Sequence, residues 1–345
     1  MKIVIAPDSF KECMPASRVA AVMSAAARKR WPEAEVVAIP LADGGEGTLD
    51  ILAKPLQARI QTVTVQDPLG RPHESRFGIC DGTALIEVAQ ACGLSLLAPD
   101  ERHPLETHTY GLGELLLEAY RAGARHYIIA LGGSATCDGG KGMLDVPGID
   151  TLKGASFEIL CDVDAPFVGP QGAARVFAPQ KGATPVEVEL LEDRMLHQAA
   201  WLYEHTGVDV SSLPGAGAAG GLGGAFVAYF GARMEQGIHR ILDLVRFDEQ
   251  LRGAQLVVTG EGRSDAQTLM GKVPYGVLRR VQSVSATTSV ALVSGRIEDR
   301  ASLEQAGFEP IMEVTPRNLP LSQALDPACA QKCLYRAIGG LPFPQ

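Results

Sequence analysis

The sequence predicts an α/β protein: a doubly wound domain assembled from both ends of the chain, with a second α/β domain inserted between. Three observations point there. Short apolar runs of the kind found in fully buried strands alternate with helix-patterned stretches at both ends of the chain. Polar, glycine-rich turns directly follow several of these runs. The middle of the chain instead carries two alternating segments around a turn signal, the pattern of an antiparallel pair. A length of 345 residues agrees with two domains rather than one.

The first strand is Lys2-Ile3-Val4-Ile5-Ala6, halted at Pro7-Asp8-Ser9. A helix follows, with Ser17 as its expected N-cap and Val19, Val22, Met23, Ala26 and Ala27 on one face. Glu35-Val36-Val37-Ala38-Ile39 is a second strand, ending at Asp43-Gly44-Gly45-Glu46-Gly47-Thr48, so the opening reads as a βαβ unit. The segments 60–65 and 75–79 alternate around Asp67-Pro68-Leu69-Gly70; a helix over 113–120 and the strand Tyr127-Ile128-Ile129-Ala130 come next. The C-terminal third resumes the first rhythm with strands 256–259, 290–293 and 311–314. These readings place the doubly wound domain at 1–58 and 246–345 and the inserted domain at 59–245.

Composition narrows the function. Of the residues, 38 are Gly and 22 Pro, without the G-X-Y period of collagen, while 46% hydrophobic and 21% charged residues describe an ordered chain with a sizeable core. Acidic side chains outnumber basic ones 40 to 31, for a net charge of -9. With no Lys/Arg block, a nucleic-acid or membrane-surface partner is not expected. The seven cysteines form no CxxC pair and read as reduced thiols of a cytoplasmic protein. The N-terminus turns polar too soon for a signal peptide. The uncharged stretch 215–232 is too rich in glycine for a membrane span.

Four glycine-rich turns carry the candidate chemistry. Ligands of open α/β sheets bind at the carboxyl ends of the strands. Asp8, Ser9 and Lys11 follow the first strand, Asp43, Glu46 and Thr48 the second, and Glu261, Arg263 and Asp265 a later one. Any one such turn could be turn chemistry alone; three bearing charge point to a site. The fourth, Gly132-Gly133-Ser134-Ala135-Thr136-Cys137-Asp138-Gly139-Gly140-Lys141-Gly142, reads as a phosphate loop, since glycines admit close backbone approach and exposed N–H groups bind anions. Asp138 beside it is what Mg²⁺ on a nucleotide would need.

Other motifs fail. Gly271-Lys272 is followed by Val273, so no Walker A loop exists. The run 215–220 matches GxGxxG but follows Ser211-Ser212-Leu213-Pro214 rather than a strand, which leaves a nicotinamide-dependent dehydrogenase with thin support. No zinc cluster and no G-x-S-x-G elbow is present.

Taken in order, these turns resemble the glycerate kinase family of the type often called glycerate 2-kinase. The stretches that carry the resemblance are 2–12, 43–48, 132–136, Cys161-Asp162-Val163, Pro179-Gln180-Lys181-Gly182-Ala183, 214–224, Thr259-Gly260-Glu261-Gly262-Arg263-Ser264-Asp265, Gln267-Thr268 and Gly271-Lys272-Val273-Pro274. They span the chain nearly end to end. The resemblance implies ATP-dependent, Mg²⁺-assisted phosphorylation of D-glycerate on the 2-hydroxyl. It also implies a Rossmann-like domain and an inserted one with the active site in the cleft between them; a monomer or a homodimer is equally expected. Two departures stand out. Cys137 occupies a position where the family often has Asn or another small residue, and the segment between Met143 and Cys161 is shorter than usual.

Phosphoryl transfer needs positioning, charge neutralisation and a base. Lys11, Asp43, Asp162 and Asp265 form the expected catalytic group, the three aspartates being candidate bases. Ser9, Glu46, Arg263 and Lys272 are expected to contact substrate, with Lys11, Arg263 and Lys272 as cations for its carboxylate. Gly132, Gly133, Ser134, Thr136, Gly217 and Gly220 would line the ATP phosphates, and Asp8 or Asp138 would hold Mg²⁺. The alternatives are transfer to the 3-hydroxyl and a non-catalytic sensor of hydroxy acids and nucleotides.

Overall fold

The computed structural model describes residues 1–342. In chain order its strands are β1 (Lys2–Ile5), β2 (Glu35–Ala38), β3 (Arg59–Gln66), β4 (Pro72–Cys80), β5 (Thr83–Glu87), β6 (His126–Ala130), β7 (Ser156–Leu160), β8 (Arg233–Glu235), β9 (Leu256–Thr259), β10 (Arg263–Ser264), β11 (Ser289–Ser294), β12 (Arg296–Ile297) and β13 (Ile311–Glu313). The chain divides into two compact units: Met1–Asp43 together with the chain from Ile238 onward, and Gly44–Gly237. These junctions precede the expected 58 and 246. The reason at the first is that helix Thr48–Ala53 buries Leu49, Ile51 and Leu52 and gives the Leu49 N–H to Glu87 on β5.

In the first unit a five-stranded sheet runs β13-β11-β9-β1-β2, with every neighbouring pair parallel. The start of the chain lies between its own βαβ partner and a strand from beyond residue 250, Ile3 pairing with Val36 and Leu256. Central strands of a sheet covered on both faces must be apolar throughout. Accordingly Ile3, Val4, Ile5, Leu256, Val257 and Val258 are all fully buried. Helices Ala16–Arg30 and Pro327–Gly339 cover one face, where Val19, Met23, Ala27, Leu334 and Ile338 join Ile3, Ile5 and Val258 in one core. Ser17 is not the N-cap: the helix starts at Ala16 after Pro15, whose fixed φ and carbonyl (accepting from Arg18 and Val19 N–H) begin the turn. Arg28, Lys29 and Arg30 close it at the negative end of the dipole.

The second unit is built on a six-stranded mixed sheet, β3-β4-β5-β6-β7-β8. β3 to β5 are antiparallel, as the alternation around 67–70 predicts, and β5 to β8 are parallel. The hairpin turn is made by Asp67, whose Oδ1 accepts the Leu69 and Arg71 N–H groups, with Gly70 at φ +81°. Helices Tyr110–Arg121, Pro185–Thr206 and Ala218–Phe230 pack with the sheet around Tyr127, Phe157, Phe167 and Phe226. All seven cysteines are free thiols. Among the described residues no helix is long and apolar enough to cross a membrane. The stretch 215–232 is instead a helix broken at Ala219, Gly220 and Gly221, all at positive φ.

Candidate active site

In the first unit the ladder of the parallel sheet continues past the strand ends. Asp8 N–H donates to Gly260 O at 2.8 Å and Leu41 N–H to Pro7 O at 2.9 Å. This extension gathers Asp8, Asp43 and Glu261 at the carboxyl end of the sheet, as expected of the turns after these strands. Gly260 is required there, since a Cβ would lie 1.8 Å from Val293 O.

Asp8 is 6% exposed and accepts the Ser9 N–H at 2.6 Å. Burial pushes its pKa up to about 7, with repulsion from Asp43 and Glu261 adding to the effect and Ser9 and Lys11 opposing it. Glu261 is also buried and raised by desolvation, although Thr268 Oγ1 (2.6 Å) and Ser264 Oγ (3.0 Å) donate to its Oε1 and Lys272 Nζ stands 3.6 Å from Oε2. Ser264 is in turn bonded to Ser294 at 2.7 Å. Excess negative charge at a buried carboxylate is where a divalent cation would be favoured. Mg²⁺ characteristically takes only one or two protein carboxylates alongside phosphate oxygens and water. Asp8 fits that role. Among the described residues no group of three or more His, Cys, Asp or Glu side chains forms a complete protein metal cage.

Asp265, Arg263 and Lys272 have partners of their own. Asp265 Oδ1 caps the turn 266–270 through the Gln267 N–H at 2.9 Å, and its carboxylate faces Arg263 (3.4 Å) and Lys272 (3.8 Å). Arg263 also pairs with Glu298 at 2.7 Å. Lys11 is exposed and Ser9 half-buried.

In the second unit the loop 132–142 leaves β6. Gly132 N–H donates to Gly44 O at 3.0 Å, and a Cβ on Gly132 would come within 2.5 Å of Gly45 Cα. Two glycine-rich turns thus meet backbone to backbone. Gly133 is exposed at φ +83°. Behind the loop lies Lys181, 4% exposed, whose Nζ donates to Ser134 Oγ at 2.8 Å and Thr136 O at 2.7 Å. Glu46 is exposed at the neighbouring turn.

Three expected roles change here. Asp138 does not fit a metal ligand: Oδ2 accepts Thr109 N–H (2.9 Å), Thr109 Oγ1 (2.8 Å) and Gly142 N–H (3.0 Å), and Oδ1 accepts Gly140 N–H (3.0 Å). Its carboxylate clamps the loop to the start of helix Tyr110–Arg121. Gly217 and Gly220 are buried, and a Cβ on each would collide with Pro166 O (2.2 Å) and Thr136 O (2.1 Å). Their backbones approach protein rather than ligand. Asp162 is exposed, and its Oδ1 accepts the Gly237 N–H at 2.8 Å.

The sequence matches the model of the glycerate kinase family in two overlapping pieces, residues 3–153 and 144–339. The chain belongs to the glycerate kinase family. It is therefore a kinase. A Bacillus subtilis glycerate kinase is 39% identical, covering 95% of this chain and 94% of the relative. An Escherichia coli glycerate 2-kinase is 38% identical over 91% and 90%. The crystal structure of a Salmonella typhimurium LT2 protein proposed to be glycerate kinase 2 superposes with a TM-score of 0.82 at 37% identity, covering 98% of this chain and 96% of that one.

The sequence reading expects a shortened segment between Met143 and Cys161. The alignment with a Halalkalibacterium halodurans glycerate kinase runs over 354 positions, more than the chain's 345 residues, so that relative carries segments absent here. The two family-model pieces overlap at 144–153. The segment present is well packed: Leu144, Val146, Ile149 and Leu152 are buried, and Asp150 accepts a hydrogen bond from Tyr229 at 2.8 Å.

Three buried charged groups have no role assigned by the sequence. Glu261 is among the residues of the candidate turns but is flanked by more conspicuous charges. Glu87, at the end of an unassigned strand, accepts the Leu49 N–H at 3.1 Å and is raised by burial. Lys181 is a single lysine in a glycine- and proline-bounded motif, and that isolation was its one signal.

Proposed function

We propose that the protein transfers the γ-phosphoryl group of ATP to the 2-hydroxyl of D-glycerate, releasing ADP and 2-phosphoglycerate. The observation that carries this reading is the carboxylate group of buried Asp8 and Glu261 with half-buried Asp43 at the carboxyl end of a parallel sheet, in a chain of glycerate kinase kinship. The doubly wound reading of the first unit belongs to the proposal, because ligand sites of such sheets lie at that end.

The glycerate hydroxyl must lose its proton as its oxygen bonds to phosphorus and the bond from phosphorus to the ADP oxygen breaks. Asp43 is the preferred acceptor, because Asp265 and Asp162 are engaged as caps of backbone N–H groups. Lys11 and Lys272 offer positive charge to the substrate carboxylate, with Ser9 as a hydroxyl donor; Arg263 and Glu46 are second choices, the former already paired with Glu298. Loop 132–136 receives the nucleotide phosphates through Gly132, Gly133, Ser134 and Thr136. Mg²⁺, when bound, would neutralise charge on the phosphate oxygens, and Asp8 would hold it.

The name of the Escherichia coli relative favours the 2-hydroxyl over the 3-hydroxyl. The test is ADP release from ATP with Mg²⁺, with and without D-glycerate. Release that depends on D-glycerate supports the proposal. Glycerate binding without turnover would instead support a sensor.

A further inference from the structure

We propose that Lys181 is a positioning residue for ATP: from behind the loop 132–136 it fixes Ser134 and Thr136 and supplies the buried positive charge against which the polyphosphate docks. This rests on the reading of that loop as the ATP phosphate site.

The geometry singles Lys181 out. An ammonium group has three N–H donors. Here two are taken, and both acceptors are neutral: the Ser134 hydroxyl and the Thr136 carbonyl. Among the described residues no carboxylate lies within ion-pair distance of Nζ. A buried charge is normally paired, because burial without a counter-ion is costly. The turn that delivers Lys181 is tightly held, since a Cβ on the next residue, Gly182 at φ +103°, would stand 2.0 Å from Arg102 O. Beside the ammonium, Thr136 Oγ1 is buried without a hydrogen-bond partner. A cation lacking a counter-ion and an unsatisfied hydroxyl thus flank one exposed glycine loop, an arrangement an arriving anion would complete.

The titratable groups around Lys181 are Cys92, Cys137 and Asp138. Burial pushes the Cys137 thiol up to about 11 and Cys92 further in the same direction, so both are neutral near pH 8. Asp138 is the one carboxylate among them, and its oxygens are occupied by Thr109, Gly140 and Gly142. Burial correspondingly holds Lys181 down at about 8. A phosphate on the loop favours the charged ammonium, so ATP binding should take up a proton at alkaline pH.

The test is calorimetric titration with ATP at pH 8.5, without Mg²⁺, in two non-phosphate buffers of different ionisation enthalpy. For the wild type proton uptake is expected, reaching about 0.75 proton per ATP for an ammonium that stays charged in the complex, and affinity should weaken between pH 7.5 and pH 9.5 by up to about 25-fold, the limits set by linkage to a group titrating near 8. Lys181→Arg, which stays charged throughout, should bind ATP without uptake and without the alkaline weakening. Lys181→Met should bind weakly at every pH. Wild-type binding with no proton uptake overturns the proposal, and that result needs no variant to fold. If ATP binding is absent, or unaffected by Gly133→Val, the phosphate-loop reading itself fails.

Discussion

Replacing Asp8 by Asn should make the protein more stable and less active at once. Burial, Asp43 and Glu261 push the Asp8 carboxyl from 3.8 to about 7. A group whose folded pKa is raised contributes its full stability below the unfolded value and loses it as pH rises through the folded one. For Asp8 the loss develops between about pH 4 and pH 7 and is complete above. At 1.36 kcal/mol per unit, the shift corresponds to a destabilisation on the order of 4 kcal/mol at pH 8. At 6% exposure little of this is screened by solvent. Asn keeps the acceptor for the Ser9 N–H and removes the charge. Asp8→Asn should therefore raise Tm by several degrees at pH 8 in Mg²⁺-free buffer, with the gain shrinking to near zero at pH 4. Glycerate-dependent ADP release should fall at least tenfold, an exchange of stability for function common at active sites. Thermal denaturation of both proteins from pH 4 to pH 8.5 measures the difference. A variant no more stable than the wild type at pH 8 would refute the claim that Asp8 carries uncompensated buried charge.

Asp43→Asn should leave Tm within about 1 °C of wild type, as expected of a surface-like change with little effect on stability, yet lower turnover at least tenfold; equal turnover would remove Asp43 as the base. Asp265→Ala should lower stability by about 1 kcal/mol through the lost cap, whereas Asp265→Asn, which can still cap, should recover most of it in urea titration. Gly260→Ala forces a Cβ to 1.8 Å from Val293 O and should destabilise by about 2–3 kcal/mol, read as a lower urea midpoint.

The first unit was legible because its three central strands, β1, β9 and β11, are short, apolar and almost wholly buried, so composition locates them. The helix start was misread because Ser17 is a good cap by type, while Pro15 had already set the turn. The junction near 58 was placed too late, since helix Thr48–Ala53 carries the apolar pattern of either unit and only its contact with Glu87 assigns it. At the site, turn residues after strands pointed to Asp8, Asp43 and the 132–142 loop. Their types could not separate a ligand-facing carboxylate from one that clamps a loop, and Asp138 belongs to the latter. For the same reason glycines 217 and 220 looked like ligand glycines: close approach to backbone and close approach to phosphate demand the same residue. Lys181 escaped because nothing in a one-dimensional sequence reveals that a lysine is buried.

The most direct test of the account is phosphorus NMR of the product formed from ATP, Mg²⁺ and D-glycerate. The account predicts ADP and 2-phosphoglycerate in equal amounts, with no product when D-glycerate is omitted. Formation of 3-phosphoglycerate would contradict the assigned hydroxyl, and the absence of any phosphoglycerate would contradict the assigned reaction.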